Sequence, residues 1–343
     1  MSGMNRPTRT SSSPDLSVVV VGASGMATIG RTLGCLRAQT AADRIEVLIV
    51  TPSAGEIDRD ALGAGRFAAL RAVEVGPITR RGHAAAAGIR EATAPVVALL
   101  EDHSYPEPGW AAALLAAHTQ PWAGVGPSVE NANPGTAISR VTFWFSFAAM
   151  SGPQEAGTRT LLPWHNTAYK REILTGYGER LGPLLAWEGD LQDDLLARGH
   201  QLYLAPAART HHLQGSAFTA ALGIHFQCGR ILGGQHAEKE RLPWWRRAAY
   251  AAAMPVLPLV HIRRAAPELH RMGVTTRDMV ADGPTLLTML AAMAIGEAVG
   301  YLSGVGDATD RLQRYDLYRA AHLSRRERRV AAAMAQTTEP TAA

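Results

Sequence analysis

Short runs of β-branched and aliphatic residues alternate with helical patterns through the first half of the chain, which is the signature of a parallel sheet. Leu16 to Val21 reads as a strand ending at Gly22, Gly30 to Gln39 as a helix, and Ile45 to Val50 as a second strand. Ala69 to Val75 offers a further short strand and Gly82 to Glu91 a small-residue helix. Val96 to Leu100 is a strand whose apolar run stops on Glu101, Asp102 and His103. Trp110 to His118 reads as a helix, Ala123 to Val129 as a return to the sheet, and Gln201 to Ala205 as a strand broken by Pro206. Arg140 to Met150 is aromatic-rich and fits either type. The expected class is therefore α/β, a mostly parallel central sheet flanked by helices in a Rossmann-like manner, with helices added at the C-terminal end. No internal repeat is visible.

A buried strand ending in carboxylates delivers them to the carboxyl edge of the sheet, where open α/β sheets bind ligands. Such a cluster suits a divalent ion and the phosphates it neutralises. The same acids also serve to cap the helix that starts near Trp110. A second acidic group, Trp187-Glu188-Gly189-Asp190-Leu191, opens a helix with Leu191, Leu195 and Leu196 on one face and Gly199 as its stop. Glu188 and Asp190 sit at that helix's N-terminus, facing a cleft or capping the helix. The loop Gly22-Ala23-Ser24-Gly25 invites a dinucleotide-binding reading, with Gly30 as a third glycine. Gly30 falls outside the usual spacing, and Thr51-Pro52-Ser53 stands where an acid should hold a ribose. A nicotinamide-dependent enzyme is the weaker reading, and a tight strand-to-helix turn accounts for the same glycines.

The 343 residues allow one large domain or a domain with an appendage. At 47% hydrophobic, the chain can bury a large core. Its net charge of +4 comes almost wholly from arginine, Lys170 and Lys239 being the only lysines. Arginine suits phosphates and acidic lipid surfaces. Two cysteines, Cys35 and Cys228, exclude a disulfide framework and a cysteine-rich zinc site. The basic residues are scattered and no base-stacking motif accompanies them, so no nucleic-acid partner is expected. Met1 to Asp15 is polar and lacks the apolar core of a secretion signal, so the chain is expected to start in the cytosol.

Pro284 to Val305 is mostly apolar, close to the roughly 20 residues that span a bilayer. Glu297 interrupts it at a cost of about 2.5 to 3.5 kcal/mol near a membrane centre. Upstream, Leu242-Pro243-Trp244-Trp245-Arg246-Arg247 sets two indoles beside two arginines, and an apolar, proline-broken run ends at Arg263-Arg264. Such pairs anchor at headgroup level. Arginines flank the apolar segments on both sides, so a single crossing would oppose the positive-inside tendency. A re-entrant or interfacial helical hairpin on the cytoplasmic face of the cell membrane is expected. The alternative is that these helices pack on the catalytic domain or on a second subunit. The organisation read here is a polar start over 1–15, a catalytic domain over 16–230, a helical membrane-associated region over 231–323 and a solvated polar tail over 324–343.

In order along the chain stand Leu16-Ser17-Val18-Val19-Val20, Leu100-Glu101-Asp102-His103, Pro106-Glu107-Pro108-Gly109-Trp110 and His165-Asn166-Thr167-Ala168-Tyr169-Lys170-Arg171-Glu172. Glu188-Gly189-Asp190-Leu191, Gly199, Pro206 and His212 complete the set. Together they resemble the family-2 glycosyltransferases of the A-type nucleotide-sugar fold, over roughly Leu16 to Gly229. The resemblance implies a nucleotide-diphosphate sugar as donor and a glycan or lipid-linked acceptor of the cell envelope. It implies Mg2+ or Mn2+ held by the signature after the strand, usually Asp-x-Asp and here Glu101, Asp102 and His103. His212 matches a family histidine near the metal and diphosphate. The implied chemistry is an inverting single displacement, with Glu188 at the position of the catalytic base and Asp190 as its substitute. Gly22, Ala23, Ser24, Thr51 and Asp102 fall where the family holds the nucleotide. The first loop lacks the family's Pro and Asn, the second strand ends in Thr51-Pro52 rather than Asp, and Ala84 to Gly88 lacks an Arg and Asn, so no base identity follows. The acceptor side is expected from Asn166, the loop before Glu188 and Arg140 to Met150. A catalytically lapsed sugar-nucleotide or glycan-binding protein is the second reading of these departures.

Overall fold

The computed structural model of the chain describes residues 13–23, 26–57 and 63–329. In chain order the first half gives β1 (Leu16–Val21), α1 (Met26–Arg37), β2 (Ile45–Thr51), β3 (Ala69–Glu74), α2 (Arg81–Glu91), β4 (Val96–Glu101), β5 (Ser104–Pro106), α3 (Trp110–Ala117) and β6 (Gly124–Asn131). There follow α4 (Ala137–Phe147), β7 (Gly157–Arg159), β8 (Ala168–Lys170), α5 (Arg171–Thr175), α6 (Leu181–Ala186), α7 (Glu188–Ala197) and β9 (Leu202–His212). The C-terminal part is helical: α8 (Phe218–Lys239), α9 (Trp244–Ala252), α10 (Leu257–Arg271), α11 (Thr276–Ser303) and α12 (Ala308–Leu317).

Strands with no polar alternation are buried on both faces, and β1, β2 and β4 are buried at every position. They pair in parallel, with β3 beside β2. The sheet continues from β4 through the short antiparallel β8 to β6 and then to β9, which runs parallel to β6. β5 and β7 pair antiparallel with β9. Ile29, Leu33 and Leu36 of α1 with Trp110 and Leu114 of α3 cover one face. Ala85 and Ile89 of α2, Leu185 of α6 and Leu191 and Leu195 of α7 cover the other. Each strand residue therefore meets helix on whichever side it faces, which is why continuous apolar runs were needed.

Two local readings change. The aromatic-rich segment is the helix α4, whose N-cap Thr136 side chain accepts the Ser139 N–H. Pro206 does not end its strand: β9 runs on to His212, and the register against β6 slips between Pro127 and Ser128. Proline is tolerated at such a bulge because no ladder donor is needed there.

At the opposite edge, Glu46 in β2 ties three segments together. Its carboxylate accepts from Ser17 Oγ (2.6 Å), the Thr93 N–H (2.9 Å) and Arg71 Nη2 (2.6 Å). Burial alone would raise its pKa, and these bonds outweigh it and hold it low.

The C-terminal helices are joined to the rest rather than set apart. α8 runs without a break through 230–231, where the sequence placed a boundary. α4, α8, α10 and α11 share one core with Val141, Phe147, Leu269, Met289 and Leu290. α8 and α11 cross at four glycines. A Cβ would lie 1.9 Å from Met293 O at Gly229 and 2.3 Å from Glu297 O at Gly233. At Gly296 it would lie 2.0 Å from Phe226 O, and at Gly300 2.3 Å from Arg230 O. Among the described residues α11 is the one helix long and apolar enough to cross a membrane, and 56% of its apolar window is buried against the chain itself. Its acids are paired: Asp282 with Arg140 (2.5 Å) and Glu297 with His261 (2.6 Å). Ser324 to Arg329, read as solvated, is docked, since Glu327 accepts from Asn133 Nδ2 (2.9 Å) and from the Ser216 hydroxyl.

Alanine at Gly296 should destabilise the fold by about 1 to 3 kcal/mol or more, because backbone rather than a flexible side chain must give way. Alanine at Gly223, in the same helix pair but with nothing within 4 Å of a Cβ, should be neutral or stabilising by up to about 1 kcal/mol. Urea unfolding of the two variants checks the contrast, and equal effects would refute the close crossing. For Glu46 the folded pKa is depressed, so its contribution is complete above the ordinary value of 4.5 and disappears as pH falls through the folded value. Glu46→Gln should flatten that part of the stability–pH curve, read by thermal unfolding between mildly acidic and neutral buffer.

Candidate active site

The parallel register sets where the site falls. Val21 of β1 pairs with Val50 of β2 and with Glu101 of β4. Gly22, Thr51 and Asp102, the residues that follow or close those strands, therefore share the carboxyl edge of the sheet. Because β9 continues past Pro206, Ser104 pairs with His212, and His212 arrives beside Glu101 and His103.

Glu101 is the hub. Its Oε2 accepts from His212 Nε2 at 2.7 Å and from Asn166 Nδ2 at 2.8 Å. Its Oε1 lies 3.5 Å from His103 Nε2 and 3.8 Å from Arg81 Nη2. One ligand atom from each of Glu101, His103 and His212 lies within 4.8 Å of the others, and all three residues are buried. Burial pushes the Glu101 carboxyl up, but His103, His212 and Arg81 together hold it well below the carboxylate range. Burial pushes His212 down to about 4 against the pull of Glu101, so its ring is neutral at pH 7. Gln214 Nε2 lies 2.8 Å from His212 Nδ1 and fixes the ring.

These residues fit a divalent ion. His103 Nε2, Asn166 Oδ1 and Arg81 Nη1 are buried without a hydrogen-bond partner, and such orphans gathered in one place ask for a ligand. One carboxylate and two imidazoles are a donor set suited to manganese and its neighbours in the first transition row. Asp102 stands behind this set: its Oδ1 bonds His103 Nδ1 at 2.8 Å, orienting the ring as an outer partner does.

The second corner is Glu188, the first residue of α7, with none of its surface exposed. Tyr169 of β8 donates its hydroxyl to Oε1 at 2.5 Å, and the His165 N–H donates to Oε2. His165 Nδ1 lies 3.2 Å from that same Oε2. Burial and the Glu188 charge push the Tyr169 hydroxyl well above its ordinary value, so it stays a donor. Asp190 lies two residues on, exposed, its carboxyl raised by partial burial and by Asp193.

The corners are joined by neighbouring residues of one loop. His165 binds Glu188, and Asn166 binds Glu101. Thr167 Oγ1 closes the loop onto Pro163 O at 2.8 Å, and Gln192 Oε1 accepts the Leu162 N–H at 2.9 Å. Trp164 and Trp187 pack edge to face at 4.2 Å on the flank.

The other anticipated residues fall along the same edge. The Gly22 N–H bonds Val50 O at 2.9 Å, and a Cβ there would meet Ile29 Cδ1 at 2.1 Å, so this glycine serves packing. Ala23 follows it, half-buried, and Ser24 lies outside the described residues. Thr51 is buried, its Oγ1 donating to Ser53 O at 3.3 Å. Arg319 escaped the sequence reading, which took it for a basic flank of an apolar segment. It is buried, pairs with Asp316 at 2.5 Å and leaves Nε unpartnered. Its charge reaches both Glu101 and His212. Arg81 was missed for the same reason, since only the fold brings it to Glu101.

No family model and no curated protein matches the chain. Solved structures do. GalNAc-T7 with UDP, GalNAc and Mn2+ aligns over 58% of this chain and 43% of its own at 15% identity and a TM-score of 0.45. S. aureus TarS aligns over 59% and 37% at 14% identity and a TM-score of 0.42. The chain thus spans about two-fifths of the length of either. A mannosyltransferase from Pyrobaculum calidifontis, PcManGT, in complex with GDP-Man and Mn2+, aligns over 85% of this chain and 88% of its own, at 16% identity and a TM-score of 0.51. That likeness covers most of both molecules, and with the parallel core and the carboxyl-edge site it identifies the chain as having the A-type fold of nucleotide-sugar transferases.

Proposed function

We propose that the chain is a metal-dependent glycosyltransferase that moves a sugar from a nucleotide-diphosphate donor to a hydroxyl acceptor. The observation that carries this reading is the buried Glu101–His103–His212 set at the carboxyl edge, one loop residue away from the Glu188 corner. The similar mannosyltransferase was solved with GDP-Man and Mn2+, the ligand classes that this donor set and its two nearby arginines suit.

Glu101, His103 and His212 would hold Mg2+ or Mn2+, which would supply positive charge where the leaving diphosphate gains negative charge, and Asp102 fixes the His103 ring. Arg81 and Arg319 add fixed positive charge around the same place, where exclusion of water makes it count for more. Gly22, Ala23 and Thr51, at the carboxyl edge, border the nucleoside side in this reading. Glu188 and Asp190 supply the carboxylates of the acceptor side, where the hydroxyl must lose its proton as it attacks in a single, inverting displacement.

The acceptor in this reading is a lipid-linked or cell-envelope glycan, met on the cytoplasmic face of the membrane. What supports it is an uncharged outer stripe on α11. Val280 (74% exposed), Leu287 (54%), Ile295 (47%) and Leu302 (60%) recur at helical spacing, over about 33 Å at 1.5 Å per residue. Beside α11, α9 buries none of its residues and exposes Trp244 (80%) and Trp245 (55%) next to Arg246 and Arg247. Apolar surface of this extent rimmed by arginine marks a contact surface. The helices lie on the bilayer in this reading, since the opposite side of α11 is filled by α8.

A panel of nucleotide sugars, assayed for binding and slow donor hydrolysis with and without manganese, tests the reading. At least one donor should bind and turn over only with the metal, and binding without turnover would favour a lapsed binder. His212→Ala should abolish tight manganese binding, and Asp102→Asn should weaken it by about 10- to 100-fold, both read by titration calorimetry. Manganese binding unchanged in His212→Ala would sink the assigned site. Sedimentation with vesicles containing phosphatidylglycerol should pull down the full chain, and the Trp244→Ala, Trp245→Ala double variant should remain in the supernatant. A full chain that stays soluble at low salt refutes the membrane seat.

A further inference from the structure

The loop that joins the two corners holds a backbone conformation its residue does not favour. His165 has φ 56°, in the left-handed region where glycine is at ease. Non-glycine residues persist there when the surroundings impose it, and they concentrate at functional sites. Here the side chain is engaged. Its Nδ1 lies 3.2 Å from Glu188 Oε2. Nε2 makes no hydrogen bond among the described residues, and the side chain keeps 10% of its surface open while Glu188 keeps none.

Glu188 itself is badly placed to meet an alcohol. Oε1 is taken by the Tyr169 hydroxyl and Oε2 by the His165 N–H, and the ring Nδ1 of His165 lies 3.2 Å from that same Oε2. An acceptor hydroxyl would have to displace one of these and enter a fully buried position. The imidazole lies against the carboxylate, with Nδ1 3.2 Å from Oε2 and Nε2 without a hydrogen bond among the described residues. A base oriented by a buried acid behind it is the general arrangement for activating a hydroxyl. The adjacent Asn166 holds Glu101, so the free nitrogen sits one residue along the chain from the anchor of the metal set.

Resting on the glycosyl-transfer reading, we propose that His165 takes the acceptor's proton and that Glu188 orients it. The acceptor O–H bond breaks and its proton passes to Nε2. The oxygen's electron pair forms the new bond to the anomeric carbon, and the bond from that carbon to the diphosphate oxygen breaks, its pair leaving with the diphosphate. The Glu188 charge beside Nδ1 stabilises the resulting imidazolium until Nε2 gives its proton to water.

His165→Gly is the decisive variant because it removes the ring and relieves the backbone together. It should melt at or above the wild-type temperature and bind manganese and nucleoside diphosphate as the wild type does. Manganese-dependent hydrolysis of the donor found in the panel, with water as acceptor, should slow by about 10²- to 10⁴-fold. Added imidazole should restore part of that rate in His165→Gly and none in Glu188→Gln. A rate within a few-fold of wild type in His165→Gly overturns the proposal. A loss that imidazole leaves untouched also overturns it, by reducing His165 to a positioning residue. If His165→Gly does not fold, His165→Ala carries the same comparison. A wild-type chain that binds no nucleotide sugar is a different failure, that of the glycosyl-transfer reading itself.

Discussion

The structure depends most on the compensation of one buried carboxylate. Glu101 lies at the end of an apolar strand, and an uncompensated charge there would cost several kcal/mol. Three distant stretches and the adjacent turn supply the compensation: Arg81 from α2, Asn166 from the loop before β8, His212 from the end of β9, and His103 from the turn into β5. Each contact fixes the position of an element as well as a charge. The bulge at Pro206, the short antiparallel β5 and the strained loop at His165 all serve to bring a partner to that carboxyl group. The site and the packing of the sheet's carboxyl edge are one set of interactions.

That arrangement also gives the departure from a pair of acids a physical meaning. One carboxylate and two imidazoles leave a divalent ion with net positive charge, whereas two acids would neutralise it. Arg81 and Arg319, both buried, add to this excess. The resulting pocket is balanced by a polyanion and unbalanced without one, which agrees with the unpartnered polar atoms on His103, Asn166, Arg81 and Arg319. At His103 the set offers a ring rather than a carboxylate, and Asp102 stands one bond further out to steer it.

What the sequence made legible is what local pattern controls. Val96 to Glu101 announced itself because an apolar strand ended on acids, and Glu188 because it opened an amphipathic helix closed by Gly199. Arg81, Asn166 and Arg319 reach Glu101 only through the sheet topology, and no spacing in the chain foretells it. Pro206 misled because its missing donor breaks most ladders, and only the partner strand reveals that a bulge removes the need. α11 shows the limit of hydropathy most clearly: its apolar run is equally what lipid or a neighbouring helix would demand. Gly229 with Gly233, and Gly296 with Gly300, carried the distinguishing signal, four-residue spacings of the smallest residue on two helices that meet. Glu297, costly at a membrane centre, is satisfied by His261, 36 positions away in the chain.

The helical part is coupled to the site by short links. The turn after α12 accepts the Ser216 and Ala217 N–H groups on His322 O at 3.0 and 2.9 Å. Tyr315 stacks on His322 at 4.5 Å, and a Cβ at Gly215 would lie 2.0 Å from the Tyr315 hydroxyl. Gln214, one residue earlier, holds the His212 ring. From the turn after α12 to His212 Nε2, which bonds the Glu101 carboxylate, there are thus only a few packed and hydrogen-bonded steps, and close-packed interiors yield little along such a path. The C-terminal helices share a packed core with α4 and β6 and hydrogen bonds with the segment after β9. Arg319, in the turn after α12, brings its charge to Glu101 and His212, and Glu327 bonds Asn133 and Ser216 on either side of the chain that carries Gln214.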